Sequence, residues 1–443
     1  MLKKFMLFLA VGIYALCAGT AAHAIDLSFD DAVAKIAAEN WDLKKAELNV
    51  TRAAAAVDSV NANRWFRADA TASYTNTINV ENPGKQPTLV VPPGIIEGFA
   101  GMSVPIPDNM LMAGVSITQP IYTFGRVGNA LDAARTAVKM AELGHTLARA
   151  EIRAAAAQIY WTAAAADEMV KIARASHNSA INAKRTLENG ARANRANLVK
   201  ISADVETRAV ALADAEFNRD SAYRMLRVMA GLADDEPITL TTSIPSEFSA
   251  LVAAPKKLES TPEWDMLEHQ AKMFESRARA ARAGRMPTLA ATAAYNYVAM
   301  ANDYNVFARA GSQSANIGLA LSVPIFDGGL SRATATLDAM DAESARQDLE
   351  KSKKMRGNEW AEANLKREHL ISQLKHMKSA KILTDKAYGI SADRFAAGQT
   401  SAVELAEVWA GVAQMDMAIL DAKFKILMAN ETIKKLNAGS ASI

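Results

Sequence analysis

Four stretches of this chain alternate apolar and polar residues. In Arg67–Val80, Ala68, Ala70, Ala72, Tyr74 and Ile78 fall on one face, and Asp69, Thr71, Ser73, Thr75 and Thr77 on the other. Leu111–Ile121 sets Leu111, Ala113, Val115 and Ile117 against Ser116 and Thr118. Thr288–Met300 puts Leu289, Tyr295 and Tyr297 on one side, and Asn316–Ile325 alternates Ile317, Leu319, Leu321 and Val323 with Gly318, Ala320 and Ser322. A period of two predicts β-strands with unlike faces. Each stretch has the ten or so residues that a tilted strand needs to cross a bilayer. Half-buried strands of a soluble sheet carry the same pattern.

Two other stretches are rich in alanine and free of proline. All thirteen prolines lie outside 121–236 and 325–443. Proline inside a helix costs about 3 kcal/mol, so both stretches predict long helices. Each has one break, "LENGARANRANL" (Leu187–Leu198) and "RFAAGQTSAVEL" (Arg394–Leu405). A glycine followed by small polar residues fits a helix end, a turn and a restart. The predicted helices cover 126–189, 195–231, 330–397 and 402–437. At 1.5 Å per residue the first is roughly 95–100 Å long. Helices of that length must coil against neighbours. A soluble helical bundle accounts for them but not for the strands.

The chain repeats itself. "ENWDLKKAE" (Glu39–Glu47) answers "PEWDMLEHQ" (Pro262–Gln270), and "RWFRADATASY" (Arg64–Tyr74) answers "RMPTLAATAAY" (Arg285–Tyr295). Gly114–Gly125 answers Gly318–Gly329, with Pro120 on Pro324, and Gly190 answers Gly398. Such self-similarity divides the chain into a first repeat, 25–236, a linker, 237–261, and a second repeat, 262–443. Each half reads as helix, strand, strand, long helix, turn, long helix. The joint from strand to long helix is expected at Pro120 and Gly125, and again at Pro324 and Gly329. Proline withholds a ladder donor, and glycine permits the bend. The loop between the first two strands, about 81–110, is proline-rich and much longer than its counterpart at about 301–315. Four strands cannot close a membrane barrel, and open edges are not viable in a bilayer. Several copies would have to pool strands, and three would give twelve.

The chain start adds the compartment. Lys3 and Lys4, an apolar run from Phe5 to Cys17, and Ala22-His23-Ala24 read as an exported chain's signal peptide over 1–24, cleaved before Ile25. Cys17 is the only cysteine, so the mature chain is expected to have no disulfide, thiolate metal site or cysteine nucleophile. Without Lys3 and Lys4, the 50 basic residues fall to 48 and match the 48 acidic ones. That balance makes no case for nucleic acid. The histidines are scattered: His369 and His376 lie two turns apart, too far for the usual metal pair. There is no nucleophile elbow or phosphate loop. No enzyme, metal or cofactor is expected.

The N-terminal "LSFDDAVAKIAAENWDLKKAE", the phrases "QPIYTFGR" and "VPIFDGGL", and the turn "RFAAGQTSAVELAEV" together resemble the TolC-like outer-membrane efflux channels. The resemblance covers essentially the whole mature chain. It implies an α+β membrane protein with four transmembrane strands per protomer and long antiparallel helices. It also implies a homotrimer with a twelve-stranded barrel in outer-membrane lipid above a periplasmic α-helical tunnel. The implied function is passive export, as the exit duct of a tripartite efflux or type I secretion system. The implied partners are a periplasmic adaptor and an inner-membrane pump or ABC exporter. The competing reading is a periplasmic coiled-coil adaptor without a barrel, though an adaptor would not carry two strand pairs in a doubled chain.

The resemblance also points to site residues. Acidic residues after the second turn ring the constriction in several family members, and Glu404 and Glu407 match them. Three copies would stack carboxylate rings that attract cations. The alternative is that both are ordinary acids at a helix start, where negative charge is favoured. The turns at Gly190 and Gly398 would form the periplasmic tip. Family gate links use a basic residue after the second glycine and an acidic one after the first. Here those positions are Thr400 and Asn197, so the specific links differ.

Overall fold

The structure, a computed structural model, describes residues 25–78, 88–90, 103–105, 107–189, 195–234, 236–248, 261–308 and 310–437. In chain order, β1 (Ile25–Leu27) leads into helices α1 (Phe29–Glu39) and α2 (Trp41–Ala62). The strands β2 (Arg67–Asn76), β3 (Thr88–Val90), β4 (Ser103–Pro105) and β5 (Asn109–Tyr122) follow. Next come α3 (Arg126–Asn189), α4 (Arg195–Ala230), β6 (Ile238–Leu240) and α5 (Pro262–Ala283). The chain closes with β7 (Thr288–Ala301), a 3-10 turn (Tyr304–Phe307), β8 (Ser312–Ser322), α6 (Leu330–Ala396) and α7 (Ala402–Asn437).

Two compact units emerge. One takes in Val50–Ala141 and Met266–Asp348; the other takes in Met1–Asn49, Glu142–Asp265 and Leu349–Ile443. This division cuts across the sequence repeats. Each repeat gives its strand pair to the first unit and its turn-bearing helix ends to the second.

In the first unit β2, β5, β7 and β8 form one antiparallel sheet in that order. The β5–β7 pairing joins the two repeats. The register puts Ala68, Ile117, Ala293 and Ile317 in one row, and Ala70, Val115, Tyr295 and Ala315 in another. Between them lies the row Asp69, Ser116, Ala294 and Asn316. Directly paired residues share a face, so the four sequence alternations add up to one apolar face and one largely polar face.

The strand ends differ from the sequence expectation. The strand expected over 67–80 stops at Asn76, and 79–80 lie outside the described residues. The strand expected over 316–325 runs Ser312–Ser322 and stops two residues before Pro324. Pro120 does not end β5. Pairing breaks register between Pro120 and Tyr122 and resumes at Tyr122, opposite Leu289. Proline has no amide to donate, so the ladder slips by one residue and continues, as at a bulge.

In the second unit α3 packs through small residues. Ala156, Ala157, Ala163 and Ala164 are buried beside Leu27, Ile36 and Leu226. Alanine lets helix axes approach closely. Tyr160, fully buried, shares its one hydroxyl proton between the carbonyls of Thr242 and Leu27, 3.1 and 3.3 Å away, and accepts from the Thr242 amide at 3.0 Å. That one side chain ties α3 to the ends of β1 and β6, which pair in parallel. Ser28 caps α1 by accepting from the Asp31 amide at 3.2 Å.

Candidate functional site: the four-stranded sheet and the second helix turn

The sheet has the dimensions of a membrane wall. From Leu289 to Ala299 the apolar face rises through ten residue steps of β7. That is about 34 Å at ~3.4 Å per residue, or about 26 Å once the strand tilts by roughly 40°, the height of an outer-membrane apolar band. Tyrosines line its outer half. Tyr74 donates to Asn109 Oδ1 and Tyr295 to Gln313 Oε1 at 2.8 Å, while Tyr297 accepts from the Gly311 amide at 3.1 Å. β8 is exposed along its whole length, and Ile317 is 90% exposed. Within one chain, β2 and β8 are the edges of this sheet. Among the described residues no helix is long and apolar enough to cross a membrane.

The two strand-to-helix joints have the same backbone. Phe124 and Gly125 have φ of 48° and 85°, and Gly328 and Gly329 have 64° and 88°. These are left-handed conformations that glycine takes without a Cβ clash. The cap residues correspond as well. Thr123 Oγ1 accepts from the Val127 amide at 3.5 Å; Asp327 accepts from the amides of Gly329 and Ser331 at 2.9 and 3.1 Å. The Ser331 hydroxyl and these amides hold the Asp327 carboxyl below its ordinary pKa.

The second turn, in the other unit, is described in full. Gly398 has φ 71°. Its amide donates to the Phe395 carbonyl at 2.9 Å, and the Gln399 amide donates to the Arg394 carbonyl at 2.8 Å. That is the Schellman end of α6. Ser401 then caps α7 by accepting from the Glu404 amide at 3.1 Å. Ser401 and Glu404 thus occupy the capping-box positions. The Glu404 carboxylate accepts a hydrogen bond from Thr400. The structure therefore brings Thr400 and Glu404 together within one turn. Both Glu404 and Glu407 are exposed. Gly190 lies outside the described residues. Asn197, half-buried in the first turn of α4, has no hydrogen bond to Thr400 among the described residues.

A residue the sequence did not single out holds this region together. Arg208 on α4 is only 8% exposed. Its guanidinium lies 2.8 Å from Asp204, and donates to Ser176 Oγ at 3.0 Å and to the Ala406 carbonyl at 3.2 Å. It thereby links α3, α4 and α7. The cleft beside it, about 440 Å³, is lined by Lys200, Asp204, Arg208 and Glu407. Nearer the two turns, Ala183, Ile201, Phe395, Ala402 and Leu405 form one buried cluster, so both hairpin ends share an apolar seal. Among the described residues no three His, Cys, Asp or Glu side chains converge as a metal site.

The chain matches the family model described as "Outer membrane efflux protein" over residues 32–232 and 254–439. Its fold is that of several solved channels. CusC matches with a TM-score of 0.77 at 17% identity, covering 96% of this chain and 95% of CusC. The Campylobacter jejuni CmeC outer membrane channel gives 0.76 at 18% identity, covering 93% and 86%. The open state of the Neisseria gonorrhoeae MtrE outer membrane channel gives 0.72 at 16% identity, covering 96% and 94%. No curated protein matches the sequence.

Proposed function

The chain belongs to the outer membrane efflux protein family, and from that premise we propose that it works as a homotrimer whose twelve strands close one barrel. As a family member it is an outer-membrane efflux channel, a duct rather than an enzyme. The observation that carries the trimer is the open sheet: one apolar face, one polar face, and exposed edges at β2 and β8. Exposed strand edges cost several kcal/mol per unpaired group in hydrocarbon. Pairing β8 of one copy with β2 of the next removes every edge. The repeats 25–236 and 262–443 then act as six similar staves.

Below the barrel, a periplasmic adaptor and an inner-membrane pump or ABC exporter deliver substrate, as in tripartite efflux or type I secretion. The helices carry matching support. Val199, Val210, Phe217 and Val228 form one exposed stripe on α4, since separations of 11, 7 and 11 residues are close to whole helical turns. Such a stripe suits a neighbouring copy. At the constriction, Glu404 and Glu407 from three copies give six carboxylates, which favour cations. Thr400 orients the first of them.

Outer membranes solubilised without heat should release a species of three chains that heating converts to one. A monomer released by osmotic shock would overturn the channel reading. In planar bilayers, Glu404→Gln with Glu407→Gln should weaken divalent-cation block and cation preference. Unchanged block would remove the carboxylate rings from the proposal and leave the duct intact.

A further inference from the structure

We propose that the periplasmic rim of the barrel is a binding belt for anionic phospholipid headgroups, built from one arginine at the foot of each strand. The proposal rests on the reading that the four-stranded sheet is the membrane-spanning part.

The belt begins with the bulge. Past Pro120 the alternation of β5 shifts by one, so Tyr122 lands opposite Leu289, itself opposite Leu321. Both leucines lie on the apolar face. The irregularity therefore turns an aromatic ring onto the lipid side at the inner end of the band. Phe124 packs edge-on against Tyr122 with ring centroids 4.6 Å apart. Phe66, two residues before Ala68, continues the apolar side of β2, and Trp65 beside it is 67% exposed. At the other joint Ile325 and Phe326 are exposed. Aromatic rings at this level sit among headgroups.

Each strand foot then adds an exposed arginine: Arg64 before β2, Arg126 after β5, Arg285 before β7, and Arg332 in the first turn of α6. None has an ion pair among the described residues. Nearby acids are already engaged. Asp69 pairs with Arg67 at 2.9 Å, and Asp327, which accepts from the Gly329 and Ser331 amides, is the one acid that also faces an arginine of the set, Arg285. The opposite end of the sheet carries Asp108 and Asp303 and no described lysine or arginine; Lys85 and Arg309 lie outside the described residues. The inner rim is therefore basic where the bilayer presents phosphate. Guanidinium forks bind phosphate oxygens in pairs. At the foot of β5 and β7 a cavity of about 400 Å³ has Asn63, Thr123 and Arg126 on its polar side and Val60, Pro120 and Leu289 on its apolar side. That pairing suits a headgroup with the start of its acyl chains. Closing the trimer would repeat the four arginines in each copy around the rim.

Trp65 provides the test. It is the one tryptophan in the sheet-bearing unit, since Trp41, Trp161, Trp264, Trp360 and Trp409 belong to the other. The full-length protein is reconstituted in phosphatidylethanolamine vesicles containing either dibrominated phosphatidylglycerol or dibrominated phosphatidylcholine at the same mole fraction. The difference in quenching between wild type and Trp65→Phe isolates the rim. The expected result is severalfold stronger relative binding of phosphatidylglycerol, collapsing towards unity in high salt. It should also collapse in Arg64→Gln/Arg126→Gln/Arg285→Gln/Arg332→Gln, and survive in the corresponding lysine variant. Equal quenching by both lipids, or a preference that persists in the glutamine variant, would overturn the belt. Absence of quenching by either lipid would overturn the membrane placement of the sheet itself.

Discussion

Phe124 and Gly328 occupy the same place in the two repeats and the same left-handed backbone, yet only one is a glycine. Among the described residues Phe124 is the one non-glycine with positive φ. A side chain there costs about 1–2 kcal/mol, offset by its packing on Tyr122. Gly125→Ala and Gly329→Ala should each lower the temperature at which the oligomer dissociates, by about 1–2 kcal/mol of stability. Phe124→Gly should not lower it by a comparable amount, which semi-native gels over a temperature series would check. Asp327 adds a pH term. Its depressed folded pKa means that its capping contribution is complete above its unfolded value and is lost as pH falls through the folded one. Asp327→Asn should therefore trail wild type in heat resistance at neutral pH and converge with it well below about pH 4.

At the scale of elements, the long helices and the four strands were legible because proline exclusion and two-residue alternation are local signals. The bulge was not. Pro120 announces a lost donor, but whether a ladder stops or slips depends on the neighbouring strand, here Leu289. The parallel pairing of β1 with β6 left no trace either, since three-residue strands carry no period. At the second turn the sequence pointed to Glu404 but not to its contact with Thr400 or its capping-box place. Arg208 was missed because a charge on a helix ordinarily reads as solvent-facing, whereas this one is buried against three helices. Arg208→Gln leaves Asp204 without its partner and should cost about 3–5 kcal/mol. Hydrogen exchange should then rise around Ser176, Asp204 and Ala406 while the sheet stays protected. Tyr160→Phe removes the one hydroxyl proton shared by the Leu27 and Thr242 carbonyls and leaves the Thr242 amide unsatisfied. It should destabilise the second unit by about 1–3 kcal/mol, read as a lower denaturant midpoint.

For the whole molecule, the central claim is that an incomplete sheet is completed by its own copies. The apolar face, the bulge-set aromatic ring and the exposed edges all follow from that single requirement, and the sequence repeats supply the staves. Cys17 is the one cysteine in the sequence, so with Cys17→Ser as background the claim is directly measurable. Cysteines are placed one at a time along β2 (Thr71, Ser73) and along β8 (Ser314, Asn316), combined in one chain, oxidised in outer membranes, and resolved on a boiled, non-reducing gel. The account predicts that a matched pair of sites closes a covalent species of three chains and nothing larger, whereas either site alone leaves monomers. Disulfides confined within one chain, or a ladder running past three, would contradict it.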